Sequence, residues 1–93
     1  MKSIPVKQIC ANYNISQSFI DELYKYDLIE LIEVKSVWYI SNLEIAQLER
    51  LMRMHFDLEI NFEGLDVVNN LLRQIGDLQN ELTILRNRID FYE

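Results

Sequence analysis

The side chains of this sequence that are best suited to chemistry are one cysteine, Cys10, and one histidine, His55. They lie far apart in the sequence, so neither a metal-ligand spacing nor a nucleophile beside a base is indicated. A phosphate-binding loop needs closely spaced glycines, and the only glycines are Gly64 and Gly76. The sequence therefore predicts that the protein is not an enzyme and uses no cofactor, no metal and no small-molecule substrate.

Cys10 is better explained by packing than by reactivity. Val6, Ile9, Cys10 and Tyr13 follow the spacing i, i+3, i+4 and i+7, which is typical of a helix with one buried face. This places the thiol in the predicted core. A single cysteine cannot form an internal disulfide, which favours a reducing compartment.

The composition is that of a small globular protein. The chain has 93 residues, of which 49% are hydrophobic, enough for one domain with a modest core. No apolar run approaches the 18 or so residues that a membrane span needs, and no basic segment precedes an apolar one as in a signal peptide. We therefore expect a soluble, cytoplasmic protein with no membrane partner.

The net charge of −6 narrows the range of partners. Residues 1–43 carry four lysines against five acids, and residues 44–93 carry five arginines against ten acids. Such a surface repels phosphates, on which non-specific nucleic-acid affinity depends, and it suits a basic protein partner. The alternative interpretation is that the charge only keeps the protein soluble.

The last quarter of the chain carries a heptad pattern of apolar residues. Their steps alternate between three and four over more than three repeats, which is typical of a coiled-coil helix. Gly76 is the one weak helix former after residue 74 and lies off this line. We call the line the seam, and predict that it packs against another helix; its members are Val68, Leu71, Ile75, Leu78, Leu82, Leu85, Ile89 and Tyr92.

The first half of the chain predicts a helix-turn-helix. Pro5 suits the first position of the first helix, and Asn14 suits its left-handed end. Ser16 suits the N-cap of a second helix that buries Phe19, Ile20, Leu23 and Tyr26.

A wing and two further helices complete the prediction. β-Branched and aromatic residues predict two strands, near 31–34 and 37–40, with a turn at 35–36. A capping box that begins at Ser41 opens a third helix, which buries Ile45, Leu48, Met52 and Phe56. Asn61 caps one long final helix over 62–92. The expected organisation is a winged segment, 1–58, and a C-terminal helical segment, 59–93, in one structural unit.

This layout, together with several short motifs, resembles the chaperone-modulator CbpM family of the MerR-like winged helix proteins. The motifs are the stretches 38–40, 54–65, 75–82 and 84–89, so the resemblance spans almost the whole chain. It implies a mainly α fold: a MerR-like winged helix-turn-helix with a small β-hairpin wing and a long C-terminal coiled-coil helix.

The resemblance also implies a function and a partner. CbpM-like proteins bind the J-domain of a DnaJ-type co-chaperone and block its stimulation of the seventy-kilodalton heat-shock chaperone. The J-domain surface used for that chaperone is basic, so an acidic binder can compete for it. We therefore expect a protein-interaction module that inhibits a J-domain.

The alternative is a MerR-type transcriptional regulator that binds DNA as a dimer. The second helix of the helix-turn-helix offers Lys25 against Asp21 and Glu22, and the wing offers Lys35 beside Glu33. Bases are read best by bidentate donors such as arginine, and residues 1–49 contain no arginine. DNA binding is therefore not expected.

Three arrangements could cover the seam, and the sequence does not choose between them. β-Branched residues at most a positions, with leucine at most d positions, favour a parallel homodimer. MerR-like relatives instead pair this helix antiparallel between subunits. A fold-back onto the chain's own winged segment would cover the same leucines.

A second apolar line lies off the seam, at position c of the heptads. Ile84 and Phe91 are seven residues apart and are preceded by Asp77. Either Ile84 and Phe91 pack on the winged segment of the same or a second subunit, or they form the apolar centre of a partner-binding surface with Asp77, Glu81 and Asp90 at its rim. The alternative location is the acidic second helix around Asp21 and Glu22.

Overall fold

The computed structural model describes residues 2–92, apart from the side chain of Tyr92. Helices dominate, and a small sheet of three short strands lies beside them. In chain order the elements are β1 (Ser3–Pro5), α1 (Val6–Tyr13), α2 (Gln17–Lys25), β2 (Ile32–Val34), β3 (Val37–Ser41), α3 (Ile45–Met52) and α4 (Phe62–Tyr92). The predicted fold class, a winged helix-turn-helix with a long C-terminal helix, is confirmed.

The helix-turn-helix is formed by local caps at the predicted positions. Asn14 ends α1 in the left-handed conformation, at φ 55°, and the backbone N–H of Ile15 donates to the carbonyl of Cys10. The hydroxyl of Ser16 accepts from the backbone N–H of Phe19, which caps α2. These caps fix where each helix begins and ends, and so set the sharp turn between them.

The sheet contains one strand more than the predicted hairpin. It has the order β1-β3-β2, with Ile4 opposite Ile40 and Val34 opposite Val37. The predicted helical start at Pro5 is wrong, because Pro5 ends β1 and forms the N-cap of α1. A three-residue strand that pairs far along the chain has too short a pattern to be read from sequence.

The connection from wing to α3 is longer than predicted. The hydroxyl of Ser41 accepts from the backbone N–H of Leu43 and caps a 3₁₀ turn, Asn42–Glu44, before α3 starts. After α3 the backbone widens into a π-helical turn, Arg53–Asp57, in which Leu58 N–H donates to the carbonyl of Arg53.

One hydrophobic core holds the elements together. Its fully buried residues come from both helices of the helix-turn-helix, the connection between α2 and β2, the wing, α3 and the start of α4: Ile9, Ile20, Leu23, Ile29, Ile40, Leu48, Leu51 and Leu65. Because Leu65 is part of this core, the beginning of α4 packs against the winged segment.

Helix α4 is anchored at its start and then leaves the core. The side chain of Asn61 accepts from the backbone N–H of Gly64 at 2.8 Å, as predicted for its cap. Gln47 of α3 donates to Asn69, and Tyr26 donates to Glu63. The helix then runs through Gly76 as one element, and the chain is elongated, with a longest extent of 56 Å.

The two glycines of α4 offer a test of this anchoring. A Cβ at Gly64 would stand 2.7 Å from Cγ2 of Ile60, whereas a Cβ at Gly76 would meet nothing within 4 Å. We expect Gly76→Ala to raise the free energy of unfolding by about 1 kcal/mol, because alanine is the better helix former. Gly64→Ala should lower it, since Ile60 must move. Urea unfolding at one fixed protein concentration measures both, and equal gains would contradict the tight packing at Gly64.

Candidate protein-interaction surfaces

The seam forms one continuous apolar line along the projecting part of α4. Val68 is half-buried where the helix leaves the core. The next six members, Leu71, Ile75, Leu78, Leu82, Leu85 and Ile89, are exposed, each at about half of its surface. The remaining member is Tyr92, whose side chain lies outside the described residues. In this chain the seam does not fold back onto the winged segment.

The predicted partner-binding line lies on a different side of α4. Ile84 and Phe91 share one face with Asn87 and Arg88, and Phe91 is 83% exposed. At 100° per residue, this face is turned about 130° from the middle of the seam. A helix that covered the seam would therefore leave Ile84 and Phe91 accessible.

The acids predicted at the rim of this line are exposed on the same helix. They are Asp77, Glu81 and Asp90. Asp77 lies two heptads before Phe91, about 21 Å along the helix axis. The structure therefore brings the predicted α4 residues onto one helix, but spreads them along it rather than gathering them in a pocket.

The acids of α2 form a separate surface. Asp21 is exposed and accepts from the side-chain amide of Gln17 at 3.1 Å. Glu22 is half-buried and lines a cavity of about 210 Å³ together with the rings of Phe19, Phe56 and Phe62. Glu22 lies beside Phe62, the first residue of α4, and Asp77 is about 22 Å further along the helix axis. The two predicted acidic surfaces are therefore separate.

His55 is part of an aromatic cluster between α2 and the start of α4. Its ring stacks on Phe62 with centroids 4.7 Å apart and meets Phe56 edge-on at 4.9 Å. Its Nδ1 lies 2.8 Å from the carbonyl oxygen of Ile60. These contacts give the imidazole a structural role, in holding the connection before α4.

The thiol of Cys10 on α1 is half-buried and packs against the core. Burial raises its pKa, and the nearby Asp21 carboxylate raises it further. Both effects disfavour the reactive thiolate. Within residues 2–92, no group of three or more His, Cys, Asp or Glu side chains is arranged to hold a metal ion.

The prediction that Phe56 is buried is wrong. Phe56 is 52% exposed, and Leu58 beyond it is 66% exposed, while Leu51 takes the core position in α3. The cause is the π-helical turn, which adds a residue per turn and rotates the following side chains out of the helical period on which the prediction rested. No sequence signal marks that turn.

The structure also exposes an apolar face on the wing that the strand prediction did not include. Ile32, Val34 and Val37 are each close to half exposed. The alternation of a strand indicates which residues share a face, but not whether anything covers that face. Trp38 lies on the other face, where its ring packs against Tyr24 of α2 at 5.8 Å.

None of the helices in the part of the chain that the structure describes is long and apolar enough to cross a membrane. The side-chain hydrogen bonds from Tyr26 and Gln47 reach α4 in its first two turns, and the seam residues from Leu71 to Ile89 are exposed. The surface is thus that of a small domain with several separate apolar areas and an excess of acids.

Comparison with known proteins supports the resemblance found in the sequence. Residues 4–87 match the model of a family described as MerR HTH family regulatory protein. The chain is also similar to the chaperone modulatory protein CbpM of Pseudomonas entomophila (strain L48). The two are 21% identical over 87 residues, which cover 92% of this chain and 86% of the relative. No solved structure gives a significant match.

Proposed function

Because the chain belongs to the MerR HTH family of regulatory proteins, we propose a regulatory, non-enzymatic function, the modulation of a chaperone system. It binds the J-domain of a DnaJ-like co-chaperone and inhibits it. The observation that carries this proposal is the similarity to a chaperone modulatory protein along 92% of the chain. Neither that relative nor the matched family is named as an enzyme.

The charge of the helix-turn-helix supports a protein partner over DNA. In α2, which holds the position of a recognition helix, Asp21 is exposed and Glu22 half-buried, and Lys25 is the one cation. A basic J-domain surface would be attracted to such acids, whereas phosphates would be repelled. Inhibition then follows from occupancy, since the surface that binds this protein is no longer open to the heat-shock chaperone.

The exposed seam supports a homodimer. Residues 70–91 of α4 include no fully buried side chain, whereas most of the stability of helices in proteins comes from packing of an amphipathic face rather than from helix propensity. Full burial of a leucine side chain is worth about 1.5–3 kcal/mol. A second copy supplies an equally long and equally apolar helix, so pairing of two seams covers both.

The partner surface proposed for the J-domain is the line of Ile84 and Phe91, with Asp77, Glu81 and Asp90 as its acids. This line lies outside the seam, so dimerisation and partner binding use different faces of α4. The exposed aromatic ring of Phe91 suits the role of an anchor, and the acids suit steering of a basic partner. The alternative remains the α2 surface with Asp21 and Glu22.

The dimer is tested by placing charge on the seam. We expect Leu78→Asp with Leu85→Asp to dissociate the protein, because two carboxylates cannot be buried in the helix interface. Asn80→Asp with Asn87→Asp adds the same charge on the opposite side of α4 and should leave the dimer intact. Sedimentation at micromolar concentration measures the outcome. A compact, stable monomer of the unmodified protein would overturn the dimer.

The partner surface is tested by calorimetric titration with a J-domain. We expect Phe91→Ala to weaken binding by about 2 kcal/mol or more, as for an aromatic anchor. Leu43→Ala, which removes another exposed apolar side chain, is the matched control and should bind normally. Asp77→Lys with Glu81→Lys should mainly slow association at low salt.

Three results of that titration lead to different conclusions. Loss of affinity on Phe91→Ala supports the α4 surface. Normal binding by the α4 variants, with loss on Asp21→Lys and Glu22→Lys, would move the site to α2. No binding of the unmodified protein to J-domains of basic surface would overturn the proposed function itself.

The DNA alternative is tested by a gel shift at physiological salt. We expect no complex below about 10⁻⁵ M protein with random or genomic duplexes, since few phosphates can be neutralised. Asp21→Lys with Glu22→Lys is the positive control, because it removes two opposing charges and adds two cations on α2. A sequence-specific shift at nanomolar protein would instead establish a transcriptional regulator.

A further inference from the structure

Phe56 is a large apolar side chain that is exposed and yet held in place. It is 52% exposed, but its ring packs on Phe19 with centroids 4.9 Å apart and meets His55 edge-on at the same distance. Because Phe19 is buried, this contact fixes one side of the Phe56 ring against the core and leaves the other side open. An aromatic ring that is already fixed loses little conformational freedom when a partner covers it, which suits the role of a binding anchor.

The π-helical turn after α3 is what brings Phe56 to the surface. In a regular α-helix the apolar spacing of Leu48 and Met52 would continue to position 56 and bury it. The wider turn over Arg53–Asp57 rotates this position outward instead. Turns of this kind are rare and frequently lie at functional sites. The exposure of Phe56 therefore follows from the backbone rather than from the rotamer of its side chain.

Two cavities share Phe56 as a wall. One, of about 210 Å³, is the cavity that also contains Phe19, Phe62 and Glu22. The other has a volume of about 260 Å³ and lies between the end of α1 and the π-helical turn; its walls are Tyr13, Glu49, Met52, Arg53, Phe56 and Asp57. Both volumes are below the usual range of small-molecule pockets, so single side chains of a protein partner suit them better.

Carboxylates outnumber cations along these two cavities. Glu22 lines the first cavity, and Glu49 and Asp57 line the second. Arg53 also lines the second cavity and can offset one of the three negative charges. Among residues 2–92, the lysines and the other arginines line neither cavity. The walls around Phe56 therefore keep a negative excess, which favours a cationic occupant.

The three carboxylates are not neutralised by pairing within the described part of the chain. The hydroxyl of Tyr13 donates to Glu49 at 3.3 Å, which orients that carboxylate beside the second cavity. The side chains of Glu22 and Asp57 form neither a hydrogen bond nor an ion pair with any residue in the range 2–92. Cations of a partner can therefore meet these acids without displacing an internal partner.

From these observations we infer that Phe56 anchors a docking surface for a basic, apolar segment of a partner protein. An apolar side chain of that segment packs on the open side of the Phe56 ring. Its lysine or arginine side chains meet Glu22 in one cavity and Glu49 and Asp57 in the other.

This docking surface goes beyond the partner surface proposed for the J-domain. It lies at the start of α4, whereas Ile84 is about 33 Å further along the helix axis than Phe62. Glu22 also belongs to the alternative surface on α2, but Phe56 and the second cavity do not. The charge and exposure of the surface carry the inference whether or not its partner is a J-domain.

A basic protein segment fits this surface better than DNA or a second copy of the chain. Phosphates would be repelled by the excess of carboxylates. A second copy has the same net charge of −6, so its surface would oppose acids with acids. Aromatic anchors surrounded by polar and charged groups are typical of protein interfaces.

His55 is the only histidine of the chain, and its ring touches Phe56 and lines the first cavity. Its imidazole proton resonances therefore report directly on the surface. The probe is a blocked peptide of alternating lysine and glycine around a central phenylalanine, and its control has glutamate in place of lysine. At fixed pH we expect a saturable shift with the basic peptide and none with the acidic one. No saturable shift up to about 1 mM basic peptide, a very weak affinity, would overturn the inference.

Removal of the anchor tests the apolar part of the surface. We expect Phe56→Ala to weaken peptide binding at least about tenfold, because the ring contact is lost. Phe91→Ala removes another exposed phenylalanine at the far end of α4 and should change the affinity by less than about twofold. Equal losses in both variants would place the peptide elsewhere and overturn the site. Circular dichroism checks that Phe56→Ala remains folded, since its ring also packs on Phe19.

Charge reversal tests the acidic part and does not touch the core. Asp57 is exposed, and we expect Asp57→Lys to weaken peptide binding at least about tenfold, because an attraction becomes a repulsion. Glu33→Lys makes the same charge change on the wing, away from both cavities, and should change the affinity by less than about twofold. Equal losses in these two variants would indicate attraction by net charge alone and overturn the site.

Two further measurements identify the occupant. Dissociation of the protein on Phe56→Ala in sedimentation would assign the surface to a second copy and overturn the inference. Loss of J-domain affinity in Phe56→Ala would identify the J-domain as the basic partner, whereas normal J-domain binding would support a different one. If the unmodified protein binds the basic peptide at this surface but no J-domain, the proposed function fails and the docking surface stands.

Discussion

The packing of the first two turns of α4 is the constraint on which the rest of the molecule depends. Leu65 is fully buried, and Phe62 stacks on both Tyr26 and His55. The missing side chain of Gly64 allows Ile60 to pack against the helix. These contacts fix the direction in which α4 leaves the core. Because the helix is continuous, they also fix the directions of the seam and of the second apolar line along it.

The distribution of charged residues over the helix-turn-helix and the wing bears on which kind of partner the protein can bind. The four lysines of residues 1–43 are spread over the start of the chain, α2 and the wing, and α2 and the wing also carry acids. A helix-turn-helix that binds DNA needs cations on its second helix and wing together. Here α2 carries Asp21 and Glu22 against Lys25, and the wing carries Glu33 against Lys35, so neither element has the cationic surface that phosphates require.

How far the sequence predicts this fold depends on the range of the interactions involved. The caps at Asn14, Ser16 and Asn61 were found at their predicted positions, because each is a hydrogen bond between a side chain or turn and backbone a few residues away. The long helix was likewise predictable from its period. β1 and the exposure of Phe56 were not, since one depends on a distant strand and the other on a change of helical period.

The candidate sites were also predictable only in part, because the sequence pattern does not show which apolar residues remain exposed. The almost unbroken run of apolar side chains at 31–40 predicts strands, but a hairpin at the side of a small domain has only one face covered by its own core. Its second apolar face is therefore not covered by the residues that the structure describes, and neither are the seam residues of α4 from Leu71 to Ile89. In both elements the apolar residues exceed what one copy of the domain can bury. That excess, rather than any reactive group, is the feature of the structure that favours the proposed binding of other chains.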